Sequence, residues 1–222
     1  MALVDSVDKI VTSYFAVVAR QVIEYKGKRY TPKPLQVSPS LLRGFTCPEG
    51  CAGCCPRFSL DYLPTESLPY QLQKRVIEIN HQSITVFSDQ QKEHLNHHCK
   101  HVNSNTGRCE IHGKQPFSCD FELIRTAVFS NPKRPNILGQ RLFGRGWAML
   151  RVDGARGAFC TMTTPTQETV KDVARKLERL NQWADWFGIK TWVPDIISCI
   201  ESKALHRGPV LFTEQKQKGF EL

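Results

Sequence analysis

The sequence predicts an α+β protein in which a loop-rich cysteine region packs on helices and a small antiparallel sheet. Three observations lead to this fold class. Helical apolar patterns lie near both ends, short apolar stretches alternate with turn residues in the middle, and seven of nine cysteines fall between Cys47 and Cys119. The chain has 222 residues, of which 41% are apolar and 23% charged, and this composition excludes a wholly disordered protein.

The composition also bears on the compartment. The longest uncharged stretch near the start, residues 10–19, is half the roughly 20 residues that a membrane-spanning helix needs. Nine cysteines cannot all be paired in disulfides, and acidic residues at positions 5 and 8 are atypical of a secretory signal peptide. Both observations disfavour a disulfide-bonded secreted protein. We therefore expect a cytoplasmic protein whose cysteines are available as thiolates.

Residues 1–43 are predicted to form an N-terminal helix followed by an extended connector. Val7, Val11, Tyr14 and Val18 recur at helical spacing, which predicts an amphipathic helix from residue 5 to about residue 24. The second half of this stretch is rich in β-branched residues, so a strand leading into the turn at residues 26–28 is the alternative. Three prolines between residues 32 and 39 predict the connector.

Residues 44–122 form the predicted metal-binding region, and residues 123–222 the predicted strands and C-terminal helices, all packed as one domain. Within the first range we expect a helix over 68–80; within the second, strands over 123–129 and 141–149. Thr164 is the predicted cap of a long helix whose apolar stripe ends at Phe187, before Gly188. A short helix over 195–205 and a polar tail complete the expectation.

The cysteine spacing is the strongest functional signal. Four cysteines stand as Cys47-x3-Cys51-x2-Cys54-Cys55, and Cys99, Cys109 and Cys119 follow with nine residues in each gap. C-x2-C and C-x3-C turns bring sulfurs to one side of a loop, where they can bind one soft cation. Seven thiolates exceed the four that one zinc ion or one ordinary iron–sulfur cluster needs, so a multi-metal cluster or two sites are both open. Cys160 and Cys199 are predicted to be core thiols.

The pattern resembles the YkgJ-type cysteine-cluster family, described as a zinc- or iron-chelating domain. The resemblance covers residues 44–122 and includes the motif Gly107-x-Cys109-x-Ile111-His112-x2-Gln115-Pro116-x2-Cys119. His112 stands where the family commonly has tyrosine, and Gln115 where it commonly has arginine. The metal ligands that the resemblance implies are Cys47, Cys51, Cys54, Cys55, Cys99, Cys109 and Cys119. Related clusters occur in flagellin lysine methylases, where an iron–sulfur cluster is implied.

A radical-SAM site is the competing interpretation of Cys47-x3-Cys51-x2-Cys54. It is disfavoured because Gly53 stands where such enzymes carry an aromatic residue and because no run of β-α units follows. The expected cofactor is a [4Fe–4S] cluster or Zn2+, or both, since thiolates suit either metal. The surplus of ligands slightly favours the cluster.

Histidines and arginines add two further expectations. His94, His97, His98 and His101 surround Cys99, and a polar exposed stretch is favoured over a ligand role for them. Participation of His98, His112 and Cys160 in the site is left open. The net charge is +9, and its excess is concentrated in residues 121–164. Nucleic acid or an acidic protein partner could bind there, through Arg125, Arg141, Arg145 and Arg151.

The sequence thus predicts a metal-binding cysteine-cluster protein whose metal has a structural or electron-carrying role. One alternative is a structural subunit of a larger assembly that uses a metal-stapled fold and a basic docking face. Another is an accessory enzyme or redox partner that acts on a macromolecule. No phosphate-binding glycine loop, nucleophile elbow or metal-hydrolase motif is present. Because each of these motifs would have indicated a class of enzyme, the sequence leaves open whether the protein is an enzyme.

Overall fold

The computed structural model describes residues 6–46, 60–66, 72–89, 99, 101–103, 105–106, 109–111, 114–121, 124–129, 146–152 and 161–214. These residues form helices and small sheets, so the α+β prediction is confirmed. Within these ranges, a helix with the length and apolarity to cross a bilayer is not found.

The N-terminal helical segment is shorter than predicted. Helix α1 (Ser6–Lys9) continues through a π-helical segment (Ile10–Phe15) into α2 (Ala16–Val18), and the chain then turns into strand β1 (Ile23–Tyr25). Strand β1 pairs with β2 (Lys28–Tyr30) across a two-residue turn, where Lys26 and Gly27 both have positive φ. The strand that leads into the turn, the alternative interpretation, is therefore confirmed over residues 23–25, although Val17 and Val18 remain helical, and the helix to residue 24 is wrong.

One sheet has four strands: β3 (Leu35–Val37), β8 (Ile124–Phe129), β9 (Trp147–Val152) and β11 (Val210–Phe212). Their order in the sheet is β11-β3-β9-β8. Strands β3 and β9 run parallel, and the other neighbouring pairs run antiparallel. The strand predicted over 123–129 is confirmed, the second begins at residue 147, and residues 141–145 lie outside the described ranges. Strand β11 replaces the first part of the predicted polar tail because its residues pair with β3.

A second sheet has three antiparallel strands. It contains β5 (Leu60–Tyr62), β6 (Gln73–Ile79) and β7 (Gln82–Asp89) in the order β5-β7-β6. The helix predicted over 68–80 is wrong, because β6 is a strand whose buried residues alternate toward its end. Asn80 and His81 both adopt positive φ and close the β6–β7 hairpin.

A 3-10 helix spans Pro39–Leu42, and the described residues after the second sheet include α3 (Phe117–Asp120), α4 (Gln167–Trp186), α5 (Val193–Glu201) and α6 (Ala204–Arg207). The cap of α4 is Thr166 rather than the predicted Thr164. The Thr166 hydroxyl accepts a hydrogen bond from the Thr169 amide, and the Thr169 hydroxyl accepts one from the Thr166 amide. Gly188 follows α4 with a φ of 64°, as the helix-ending role predicts.

Aromatic side chains join these elements in one core. The Phe117 ring lies 5.7 Å from that of Trp183 on α4, and the Phe121 ring lies 4.7 Å from that of Tyr14. Trp183 in turn packs edge-on against Phe187 at 5.6 Å. The short helix α3, which carries Cys119, is therefore anchored to both the N-terminal segment and α4.

Candidate metal centre

The backbone that precedes the four-cysteine stretch packs against the start of α4. Cys47, Cys51, Cys54 and Cys55 lie outside the described residues, but Thr46 immediately precedes them. Thr46 is in strand β4 (Phe45–Thr46), which pairs with β10 (Thr161–Met162). Gly44 lies so close to Thr169 that a Cβ atom would collide with its methyl group. The backbone that leads into the cysteines is therefore packed tightly against the α4 cap.

The stretch ends at strand β5, which a buried carboxylate holds in place. Asp61 is fully buried and accepts hydrogen bonds from the hydroxyls of Ser6 and Ser88. The guanidinium of Arg75 lies 3.7 Å from the same carboxylate. Because these partners come from α1, β7 and β6, they fix β5 against three other elements. The first described residue after the four cysteines, Leu60, has a defined position as a result.

Cys99 and Cys109 are brought together by a short β-bridge. The bridge pairs Val102 with Cys109, and the Glu110 amide donates to the His101 carbonyl at 2.8 Å. Burial raises the pKa of the Cys109 thiol, and the nearby charges of Cys99 and Glu110 raise it further, against a backbone hydrogen bond at Ile111. The Cys109 sulfur is thus protonated at neutral pH, and a metal must displace that proton in order to bind it.

Cys119 lies beside the strand that follows the four-cysteine stretch. The rings of Phe117 and Phe121, four residues apart, are both buried in the core and set the orientation of the helical turn between them. Cys119 is partly buried and packs against Leu60 and Tyr62 of β5. The last cysteine of the motif therefore lies beside strand β5.

Next to Cys119, a cluster of charges ties α3 to α4. Asp120 is 3% exposed and accepts two hydrogen bonds from Arg175, at 2.8 and 2.9 Å. Arg179 lies 3.2 Å from the same carboxylate, donates to the Gln115 carbonyl at 3.1 Å and pairs with Glu66. The hydrogen bonds with Asp120 raise the pKa of Arg175 above its usual range, so this guanidinium stays charged. Gln115 stands at the motif position where the resemblance predicts arginine, and it carries no charge. The positive charges beside Asp120 come from Arg175 and Arg179 of α4.

His101 is the functional candidate whose environment the sequence missed. It was expected in an exposed polar stretch, but its side chain is only 12% exposed, and its Nε2 lies 3.2 Å from an oxygen of buried Asp89. Asp89 lies in strand β7, twelve residues before His101, so no pattern of neighbouring residues predicts this pair. A carboxylate that holds one ring nitrogen of a histidine fixes which nitrogen carries the proton. His94, His97, His98 and His112 lie outside the described residues.

Among the described residues, three potential ligands never come close enough together to hold a metal ion. The structure brings Cys99 near Cys109 and places Cys119 beside β5; the other four predicted ligands lie outside the described ranges, as does Cys160. Cys199 is partly buried against the core, as expected for a packing thiol. The described donor atoms are thiols, which bind zinc and iron alike, so the donor set fits either metal.

The predicted basic surface is described only in part. Arg125 in β8 stands opposite Arg151 in β9, and Arg151 is exposed. Arg141 and Arg145 lie outside the described residues, and nucleic-acid binding at this surface stays a prediction.

Comparison with known proteins supports the same class of site. Residues 46–135 match a family model named CxxCxxCC, described as "Putative zinc- or iron-chelating domain". The match begins at Thr46 and includes all seven predicted ligands, so the resemblance predicted from the motif is confirmed for this part of the chain. Searches of the curated proteins and of the solved structures gave no significant match. The cysteine region is therefore similar to the cysteine-rich domain that this model describes.

Proposed function

We propose that the protein holds an iron–sulfur cluster, zinc or both through seven clustered thiolates, and that the metal is structural or carries electrons. The ligands in this proposal are Cys47, Cys51, Cys54, Cys55, Cys99, Cys109 and Cys119. A single observation carries it most directly. Cys119 packs against Leu60 and Tyr62, so the last cysteine of the motif adjoins the strand that follows the first four.

The chemistry of the surroundings agrees with a thiolate site. Cys99 and Cys109 are partly buried, and burial together with the nearby Cys99 raises the pKa of the Cys109 thiol. A bound metal supplies the positive charge that lets several thiolates lie side by side, and an iron–sulfur cluster also accepts and releases electrons. The chain's own residues hold the sulfurs: the Val102–Cys109 bridge positions one pair, and Phe117 and Phe121 orient Cys119.

A structural role is the simpler of the two. Among the described residues from 99 to 121, the regular structure consists of one isolated bridge and one helical turn. Segments with so little hydrogen-bonded structure gain stability from a metal that cross-links them. A subunit of a larger assembly with a metal-stapled fold is compatible with this role. A redox partner or an accessory enzyme would need electron transfer as well.

The test is purification under strictly anaerobic conditions, followed by metal analysis and an absorbance spectrum. Stoichiometric iron with a broad visible absorbance that dithionite bleaches reversibly supports an electron-carrying cluster. Colourless protein with stoichiometric zinc supports the structural metal and removes the electron-carrying role. Protein that is folded and free of both metals contradicts the proposal.

Substitutions at the ligands separate metal loss from general damage. Cys109→Ser is expected to lower the metal-to-protein ratio and to reduce the yield of soluble protein. Cys199→Ser is the matched control, because this thiol packs against the apolar core away from the motif. If both variants retain the wild-type metal content, Cys109 is not a ligand.

A further inference from the structure

One face of the paired strands β5 and β7 contacts Cys119. Leu60 and Tyr62 of β5 stand directly opposite Asp89 and Phe87 of β7. Opposed residues of antiparallel strands point their side chains to the same face, and so do residues two positions apart along one strand. These four side chains therefore share one face of the sheet, which we call the Asp89 face, and Cys119 packs against it through Leu60 and Tyr62.

The opposite face of these strands belongs to the core. Asp61 and Ser88, which pair with each other between those residues, point to this other side. There the fully buried Asp61 carboxylate accepts hydrogen bonds from the hydroxyls of Ser6 and Ser88. The two faces thus have different partners, since one contacts α1 and the other contacts the helical turn that bears Cys119.

His101 brings a second cysteine-bearing segment to the Asp89 face. Its Nε2 atom lies 3.2 Å from Oδ2 of Asp89, and the two side chains are only 12% and 7% exposed. The Val102 amide donates to the Cys99 carbonyl at 3.0 Å, and the Glu110 amide donates to the His101 carbonyl at 2.8 Å. The His101 side chain therefore projects from backbone that is bonded at, or next to, two of the predicted ligands.

This segment, over residues 99–111, is also joined by hydrogen bonds among its own described residues. The side-chain oxygen of Asn103 accepts from two amides, at 2.9 and 3.1 Å, and its side-chain nitrogen donates to Glu110 at 3.3 Å. Because these bonds join residues of the segment to one another, they fix its shape rather than its place in the fold. The contact between His101 and Asp89 joins the segment to the sheet.

A contact of this kind, with little exposure to water, can decide where a metal ligand lies. A hydrogen bond between an imidazole and a carboxylate is stronger there than on the surface, and its loss is more costly. Contacts just outside a metal's ligands orient those ligands, and losing one typically weakens metal binding by about ten- to a hundredfold. The pair of Asp89 and His101 lies just outside the predicted ligands Cys99 and Cys109.

We propose that Asp89 and His101 are positioning residues of the metal centre. Their contact keeps the segment over residues 99–111 against the Asp89 face, on the same side of the sheet as Cys119. His101 acts through Asp89 and is not itself a ligand. The inference rests on the proposed function, in which the cysteines of the motif bind the metal, and it adds the surface against which three of them are placed.

The first test measures how well the protein as isolated retains its iron or zinc during titration with EDTA. His101→Phe keeps a ring in place but cannot bond to Asp89, so metal retention should weaken at least about tenfold. His101→Gln places an amide nitrogen near the position of Nε2, and its metal retention should stay within about threefold of that of the wild-type protein.

The matched control is His81→Phe. His81 also pairs with a carboxylate, that of Glu24 at 2.9 Å, but it is exposed and lies at the opposite end of β7 from Asp89. Metal retention by this variant should equal that of the wild-type protein. Circular dichroism of each variant shows whether it is folded.

A second measurement needs no metal. In the metal-free protein, a bis-maleimide joins thiols that lie near each other, and mass spectrometry identifies the joined cysteines. Cross-links from Cys119 to Cys99 or Cys109 should form in the wild-type protein. They should fall at least about threefold in His101→Phe, because the segment then spends less time on the sheet. Cross-links between Cys99 and Cys109 should change little, because the Val102–Cys109 bridge sets their spacing.

The outcomes separate this inference from the proposed function. Wild-type protein that is folded and free of iron and zinc contradicts both. If the wild-type protein holds metal and His101→Phe retains it as well as the control does, the inference alone fails. It fails equally if His101→Gln is as weak as His101→Phe, which would make His101 a ligand. Should His101→Phe not fold, the wild-type protein decides, and a lack of cross-links from Cys119 to the segment contradicts the inference.

Discussion

The segment over residues 161–214 and the cysteine-bearing segment over residues 99–121 are held in different ways. The first contains a 20-residue helix with a reciprocal threonine cap and a buried apolar stripe, followed by two shorter helices. The described part of the second has one bridge and one helical turn. Its position depends on Phe117 and Phe121 in the core and on Arg175 and Arg179 of α4. The C-terminal segment thus supports the helical turn that carries Cys119.

Loss of the aromatic anchor should have the largest effect. Phe117→Ala removes a fully buried ring that packs against Trp183, and we expect a loss of about 3–5 kcal/mol in the free energy of unfolding. Trp183→Ala should cost a similar amount if both segments share one core. Urea denaturation followed by circular dichroism measures both changes. A loss under about 1 kcal/mol for Phe117→Ala alone would show that the cysteine segment is not anchored there.

The charge cluster should come second. Arg179→Met keeps much of the side-chain volume but removes the cation that pairs with Glu66 and one of the two cations that contact Asp120 as described above, and we expect a loss of about 2 kcal/mol. Lys176→Met is the matched control from the same helix, since Lys176 pairs with Asp172, and it should cost about 0.5 kcal/mol. Adding Asp120→Asn to Arg179→Met should recover part of the loss. Equal losses for Arg179→Met and its control would remove the cluster as a link between α3 and α4.

The helix cap gives a smaller effect that tests the corrected boundary. Thr166→Ala removes the hydroxyl that accepts the Thr169 amide and should cost about 1 kcal/mol. Thr164→Ala, at the position that the sequence favoured, should change the free energy of unfolding by less than about 0.3 kcal/mol. The reverse order would place the cap at Thr164 after all.

The smallest effect is the pH dependence of an exposed pair on α4. Burial tends to raise the pKa of Asp172, but hydrogen bonds from Lys176 and Arg175 outweigh it and hold the pKa below its usual value. The carboxylate therefore contributes stability above the unfolded pKa of about 3.8, and this contribution is lost as the pH falls through the folded value. Asp172→Asn should cost about 0.5 kcal/mol at pH 7 and almost nothing at pH 2. A cost that grows on acidification would contradict the sign of this shift.

Sequence patterns predicted best those elements whose structure depends on residues that are close together in the chain. The stripe from Val170 to Phe187 predicted α4, and Gly188 predicted its end, because helical periodicity and a left-handed glycine are properties of adjacent residues. The stretch over 68–80 was wrong because its strand depends on pairing with β7. The cap was misplaced by two residues because three threonines compete and only Thr166 meets its partner Thr169.

The candidate site shows the same division. Cysteine spacing predicted the class of ligand, since the number and kind of donor atoms is written directly in the sequence. The supporting contacts were missed: Arg179 lies 59 residues from Asp120, and Asp89 and His101 come from separate elements. Contacts at such separations depend on the assembled fold, and no pattern of neighbouring residues specifies them.

In the proposed function the metal staples the cysteine-bearing segment to itself, whereas α4 is held by its own cap and apolar stripe. The direct measurement is amide exchange by mass spectrometry on the metal-loaded protein, before and after the metal is removed with a strong chelator. Metal removal should speed exchange at least tenfold in peptides from residues 99–121 and leave those from residues 167–186 within about twofold. Unchanged exchange in both sets of peptides, with the metal shown to be gone, would contradict the account.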